Sequence, residues 1–358
     1  MKKKKTKLKE TQLELLRHLA QYETLDYLSC LWFLDSDKTN DRKVLSYLFR
    51  PLTKNKYTAK RKDGNVVILA KGRELFSDIK PLVTICGNAA GRTRANAVSR
   101  VAMFMQTARV ESFASPDDTG ETCFVPSACW RKIRDGILST TRFTGILFVG
   151  DHRLAVYDVG DGNIEWQLRA EGSLFYRTHG RSETRATGML FICEDEKRHE
   201  VAERIIRATM WQRKQLLGKS YSKERDRPVQ YVRAPIRLKA QYEHVYLTTP
   251  KLLTESIGAI CDEEENIARC RGGHERTYDP AQGDYEAWPY RCFINSTTDL
   301  LKYVYFFSAA KSLIASRENY TSELNYAIIL PERDFPILDM YPDVSEMEGL
   351  EIIEHYEC

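Results

Sequence analysis

Residues 144–168, TGILFVGDHRLAVYDVGDGNIEWQL, carry the densest β signal in the chain. Their pattern predicts three short strands, over 146–149, 153–159 and 163–168, separated by polar connections. Asp161-Gly162 between two β-rich runs is a hairpin signal, because a type I′ turn needs positive φ at both central residues. With that turn, Tyr157 would face Trp166, Asp158 would face Glu165 and Val156 would face Gln167. Side chains alternate along a strand, so Ala155, Tyr157, Val159, Ile164, Trp166 and Leu168 would share an apolar face. Asp158, Glu165 and Gln167 would share the other. Facing carboxylates in an antiparallel pair repel, which points to a cation, a metal or a solvated edge nearby.

Working outward, the second half repeats a strand-then-helix theme. Strands are expected over 186–193, 244–248, 326–331 and 351–355, and helices over 196–210, 251–260 and 298–316. Residues 261–289 read as a polar loop. Alternating strands and helices give an α/β (α+β) body with a mixed sheet over 121–358, divisible into 121–215 and 228–358.

The first half is different. Of 54 Lys and Arg residues, 23 fall in residues 1–110 against 10 Asp and Glu there, a local charge of +13; the remainder carries −9. A basic head on an acidic body suits a nucleic-acid contact at one end. Residues 1–10 are a lysine-rich arm expected to be flexible. Leu13, Leu16, Leu19 and Ala20 mark a first helix, residues 25–34 a second and 41–49 a third. The third would bury Val44, Leu45, Leu48 and Phe49 and expose Arg42, Lys43, Tyr47 and Arg50. A basic stretch, Lys54, Lys56, Lys60, Arg61 and Lys62, then leads into Asp63-Gly64 and the β run Asn65-Val-Val-Ile-Leu. Three helices followed by a basic hairpin is the plan of a winged helix over 11–85, whose third helix enters the major groove of double-stranded DNA while its wing follows the phosphates. Gly87–Gly91 is expected to break the chain before a long helix with Arg92, Arg94 and Arg100 near its start, and 86–120 reads as helical connection and linker.

Three stretches together resemble a known family: the head, the helix GRTRANAVSRVAMFMQTARV (residues 91–110), and the segment STTRFTGILFVGDHRLAVYDVGDGNIEWQLRAEGSLF (residues 139–175). They are similar to the replication-relaxation type of protein from plasmids and integrative conjugative elements of Gram-positive bacteria. The matching residues are Thr141-Arg142-Phe143, Gly145-Ile146-Leu147, Val156-Tyr157-Asp158-Val159-Gly160, Glu165-Trp166 and Glu171. Asp158 stands where the family more often has Asn, and Glu165 where it more often has Lys. The resemblance covers about residues 10–210 and implies DNA work in replication or transfer; separately, the acidic body could recruit a relaxase or replication protein as partner.

A meander with an acid on its second strand and Glu-x-polar on its third outlines the restriction-endonuclease-like PD-(D/E)XK core, in which carboxylates hold Mg²⁺. Asp158, Glu165 and Gln167 would take the catalytic places, with Glu111 as a further acid, but Gln167 replaces the usual lysine. Cys261, Cys270, His274 and Cys292 lack the closely spaced cysteine pair of a structural zinc site. GNAAGR at Gly87–Arg92 lacks a P-loop ending. Nine cysteines, an odd number, suggest free thiols. No apolar run approaches the roughly 18 residues of a spanning helix, and the lysine-rich start lacks a signal peptide's apolar core, so a cytoplasmic location is expected. The sequence therefore favours a DNA-binding accessory or initiator protein of a mobile element, needing no cofactor. A Mg²⁺-dependent endonuclease and an interaction adaptor or transcriptional regulator remain as alternatives.

Overall fold

The structure is a computed structural model describing residues 8–34, 42–84, 88–116, 122–133, 142–160, 164, 167–168, 186, 188–206, 244–270, 285–287, 290–295, 297–304, 325–338 and 350–354. The fold is mixed α/β, and the chain divides into two units, Met1–Phe148 and Val149–Cys358.

The first unit begins with α1 (Glu10–Tyr22), which buries Leu15, Leu16, Leu19, Ala20 and Tyr22. Leu13 is 40% exposed, so the buried stripe is rotated from the expected one and Leu15 takes its place. Gln12 ties the start of this helix to its neighbour: Oε1 accepts from Lys9 N at 3.0 Å, and Nε2 donates to the Leu48 carbonyl at 3.1 Å.

The expected second helix is replaced by a strand, β1 (Thr24–Asp26), and a 3₁₀ turn, Ser29–Leu34. The Asp26 carboxylate explains the break. It accepts from Leu28 N at 3.1 Å and Ser29 N at 2.9 Å, which starts a new turn after the strand. Next, α2 (Arg42–Lys54) runs beyond its expected end at Phe49 and contains Pro51. It closes with Tyr57 N donating to Leu52 O at 2.9 Å and Lys56 N to Thr53 O at 3.0 Å, leaving Lys56 left-handed at φ 59°.

β2 (Thr58–Lys60) and β3 (Asn65–Ile68) then form an antiparallel hairpin. β3 also pairs antiparallel with β1, giving the strand order β1-β3-β2. The Arg61 amide donates to Asn65 O at 2.7 Å and Gly64 sits at φ 86°, a three-residue loop whose last position favours glycine.

After α3 (Ala70–Glu74) comes α4 (Ala89–Thr107), which packs on α1 and β1. Gly91 lies inside its first turn instead of breaking the chain, because Asn88 Oδ1 accepts from Gly91 N at 2.7 Å and caps the helix. β4 (Glu111–Ser112) pairs parallel with β5 (Cys123–Pro126), α5 (Ser127–Ile133) follows, and β5 pairs antiparallel with β6 (Gly145–Val149).

β7 (His152–Asp158), β8 (Gly188–Ile192) and β9 (His244–Thr248) belong to the second unit and pair parallel in that order. The six-stranded mixed sheet has the order β4-β5-β6-β7-β8-β9. The turn expected at Asp161-Gly162 lies outside the described residues. Beyond β7, Val159 N continues the ladder by donating to Ile192 O at 2.8 Å, while Ile164 is helical and Gln167 and Leu168 lie in a π-helical turn where a strand over 163–168 was expected. Leu154, Ala155, Val156 and Tyr157 are all buried, as expected of a central strand covered on both faces.

Helical structure spans residues 198–206 after β8, and α6 (Leu253–Cys270) follows β9, extending into the stretch read as a loop. A second sheet, of order β10-β11-β12-β13, contains β10 (Tyr285–Ala287), β11 (Tyr290–Ile294), β12 (Asn325–Leu330) and β13 (Leu350–Glu354). Its last three strands are parallel. No helix among the described residues is long and apolar enough to cross a membrane.

Candidate nucleic-acid interface

Between residues 42 and 62 there are eight Lys or Arg and no Asp or Glu. On α2, Lys43, Tyr47, Arg50 and Lys54 are spaced by four, three and four residues, which sets them on one helical face. All four are exposed, and Tyr47, at 76%, is the most exposed large hydrophobic side chain among the described residues. The opposite face buries Leu45, Leu48, Phe49 and Leu52. Val44, expected in the buried stripe, is half-buried. Arg42 begins the helix, and its side chain lies outside the described residues.

The hairpin presents a second group of cations. Lys60 ends β2, Arg61 and Lys62 enter the loop, and all three are exposed. Lys56 is exposed at the left-handed residue between α2 and β2. An L-residue there carries a steric cost that glycine would avoid.

One acid sits at the hairpin tip. Asp63 Oδ1 accepts from Asn65 N at 3.1 Å, and Oδ2 lies 3.8 Å from Arg92 Nε at the start of α4. Arg92 is thus at least partly engaged by an acidic neighbour. The loop end of the hairpin is fastened to the same helix by Asn96, whose Nδ2 donates to Asn65 Oδ1 at 2.6 Å while its Oδ1 accepts from Thr24 Oγ1 at 3.3 Å.

Two aromatic contacts escaped the sequence reading. Lys60 Nζ lies 3.7 Å from the centre of the Tyr27 ring, and that ring stacks on Phe49 of α2 with centres 5.0 Å apart at 27°. Lys71 Nζ lies 4.8 Å from the Tyr57 ring centre and donates to the Asn55 carbonyl at 3.0 Å. Tyr27 follows the unforeseen β1 and precedes the 3₁₀ turn, so a helical reading of that stretch gave it no reason to meet Lys60. Burial, with a smaller contribution from Cys30, raises its phenol above the usual range, which keeps the ring neutral.

Of the three residues proposed for metal-dependent cutting, Asp158 and Gln167 fall among the described residues. Asp158 ends β7, and Gln167 is buried in the π-helical turn. Glu165, like Trp166 and Glu171, lies outside the described residues, as does His274. The register that would put Asp158, Glu165 and Gln167 on one face rests on a turn at Asp161-Gly162, outside the described residues. Among the described residues, no group of three or more His, Cys, Asp or Glu is arranged to hold a metal ion.

The second unit holds a buried polar cluster that the sequence did not reveal. Asp299 is 1% exposed; Oδ1 accepts from Val245 N at 3.1 Å and Leu301 N at 2.9 Å, and Oδ2 lies 2.9 Å from His244 Nδ1. Burial opposes its ionisation, yet the His244 hydrogen bond and charge, Lys302 and the Val245 amide together hold its carboxyl below the usual range. Buried Asp334 accepts from Arg198, from Thr298 Oγ1 at 2.8 Å and from Tyr303 Oη at 3.1 Å. Each carboxylate is met by donors from several segments, which fits a scaffold whose polar groups need partners.

A scan against protein-family models finds no match, and searches of curated proteins and of solved structures find none.

Proposed function

We propose that the N-terminal head is a winged-helix module binding double-stranded DNA, with α2 as the recognition helix and the β2–β3 hairpin as the wing. The observation that carries this reading is the coincidence of topology and charge. The order α1, β1, 3₁₀ turn, α2, β2, β3 with sheet order β1-β3-β2 suits that plan, and the exposed cations cluster on α2 and the hairpin. Lys43, Tyr47, Arg50 and Lys54 face the groove in this reading, with Arg42 at the helix start. Lys56, Lys60, Arg61 and Lys62 meet phosphates.

Together with the family resemblance over residues 10–210, this makes the chain an accessory or initiator factor of a mobile element, acting in replication or conjugative transfer. A relaxase or replication protein is the proposed partner of the acidic remainder. The DNA role of the head requires neither metal nor nucleotide.

Fluorescence anisotropy with a labelled duplex tests the helix assignment. The variant Lys43→Ala/Tyr47→Ala/Arg50→Ala should lose about tenfold or more in affinity, since each phosphate or base contact contributes on the order of 1 kcal/mol. Lys251→Ala removes one exposed cation outside the head and should bind as the parent does. Equal affinity of the triple variant and the parent would remove α2 from the interface.

A further inference from the structure

We infer that Tyr27 is a positioning residue for DNA binding, holding the wing cation Lys60 in place for a phosphate; this rests on the head's proposed function. Three observations converge on its ring. Lys60 Nζ lies 3.7 Å from the ring centre, within the roughly 6 Å range of a cation–π contact. The ring stacks on Phe49, whose side chain is buried beneath α2. The backbone that carries it is fixed by the Asp26 carboxylate, which accepts from the amides of Leu28 and Ser29. Tyr27 thereby links the first wing strand to the recognition helix.

The ammonium has three N–H donors, and a ring face satisfies only the side turned toward it. Lys60 is exposed, so its other donors can reach a phosphate while the side chain remains over Tyr27. A free lysine gives up rotamer freedom when a phosphate fixes it. A lysine already resting on an aromatic face gives up less, so the ring strengthens binding without itself contacting DNA. This predicts a specific coupling: the effect of the ring should vanish when Lys60 is absent.

The test compares full-length Tyr27→Leu, Tyr27→Phe, Lys60→Ala and Tyr27→Leu/Lys60→Ala by duplex anisotropy over a salt series. Urea melts establish that each variant is folded. Tyr27→Leu keeps an apolar group on Phe49 but removes the π face, and should weaken binding about two- to fivefold with an unchanged salt slope, because no phosphate contact is lost. Tyr27→Phe restores the face and should restore the affinity. Lys60→Ala should lower the salt slope by about 1, and adding Tyr27→Leu to it should cost nothing more.

An equal loss from Tyr27→Leu with and without Lys60 would overturn the inference, since the ring would then act independently of the lysine. So would unchanged affinity in Tyr27→Leu while Arg50→Ala and Lys62→Ala still weaken binding; the DNA-binding reading would survive that result. If Lys60→Ala, Arg50→Ala and Lys62→Ala all leave binding unchanged, the DNA-binding reading itself falls and the role of Tyr27 falls with it.

Discussion

His18 shows how one buried side chain makes the head sensitive to pH. It is 1% exposed in α1, stacks on Tyr22 with ring centres 4.7 Å apart, and places Nε2 3.0 Å from Ser99 Oγ of α4. Burial pulls its pKa down from 6.5 to about 4, more strongly than the Gln106 and Ser99 hydrogen bonds raise it. The folded state therefore favours the neutral ring. The associated stability is fully present above about pH 6.5, declines as pH falls, and is exhausted near pH 4; the shift corresponds to about 3 kcal/mol. Urea midpoints should fall between pH 7 and pH 4.5, and His18→Leu should flatten that decline. An equally steep decline in the variant would assign it to other groups. The burial of His18 was within reach of the sequence, because Leu15, His18, Leu19 and Tyr22 share the spacing of one helical face. Leu13 competed for the same stripe, and only packing against α4 decides between the two faces.

The parallel pairing of β7 and β8 sets the architecture of the second unit. Gly188 is opposite both Leu154 of β7 and His244 of β9, and a Cβ there would lie 2.7 Å from the His244 carbonyl oxygen and 3.1 Å from Leu154 Cδ2. Since the nearest atom is strand backbone, Gly188→Ala should destabilise the protein by about 1–3 kcal/mol, measurable as a lower urea midpoint. An unchanged midpoint would contradict the tight register. Most longer strands were legible as apolar runs, and 244–248 was placed to the residue. The failures have separate causes. The strand expected over 163–168 is helical at Ile164, Gln167 and Leu168, and the unbroken Leu154–Tyr157 run was the sign of a strand buried on both faces. β1 and β4 have three and two residues, too few to show a period. The trio Asp158, Glu165 and Gln167 was grouped only by the register of the expected turn, which lies outside the described residues.

Over the whole molecule, the charge division between residues 1–110 and the remainder was legible from counting alone. Its structural counterpart, the exposed cations on α2 and the β2–β3 hairpin, was also largely legible, because charged side chains at helical spacing and around a glycine turn need little tertiary knowledge to place. The aromatic seat of Lys60 was not, since Tyr27 and Lys60 are far apart in sequence and meet through β1. In the proposed reading these cations displace counterions from duplex DNA, each phosphate contact adding about 0.9 to the slope of log affinity against log salt. The most direct measurement is that slope for the full chain and for Lys60→Ala/Arg61→Ala/Lys62→Ala. The account predicts a steep slope for the parent and a reduction of about 2 to 3 in the variant, with weaker binding to every duplex sequence. Identical slopes and affinities in the two proteins would contradict it.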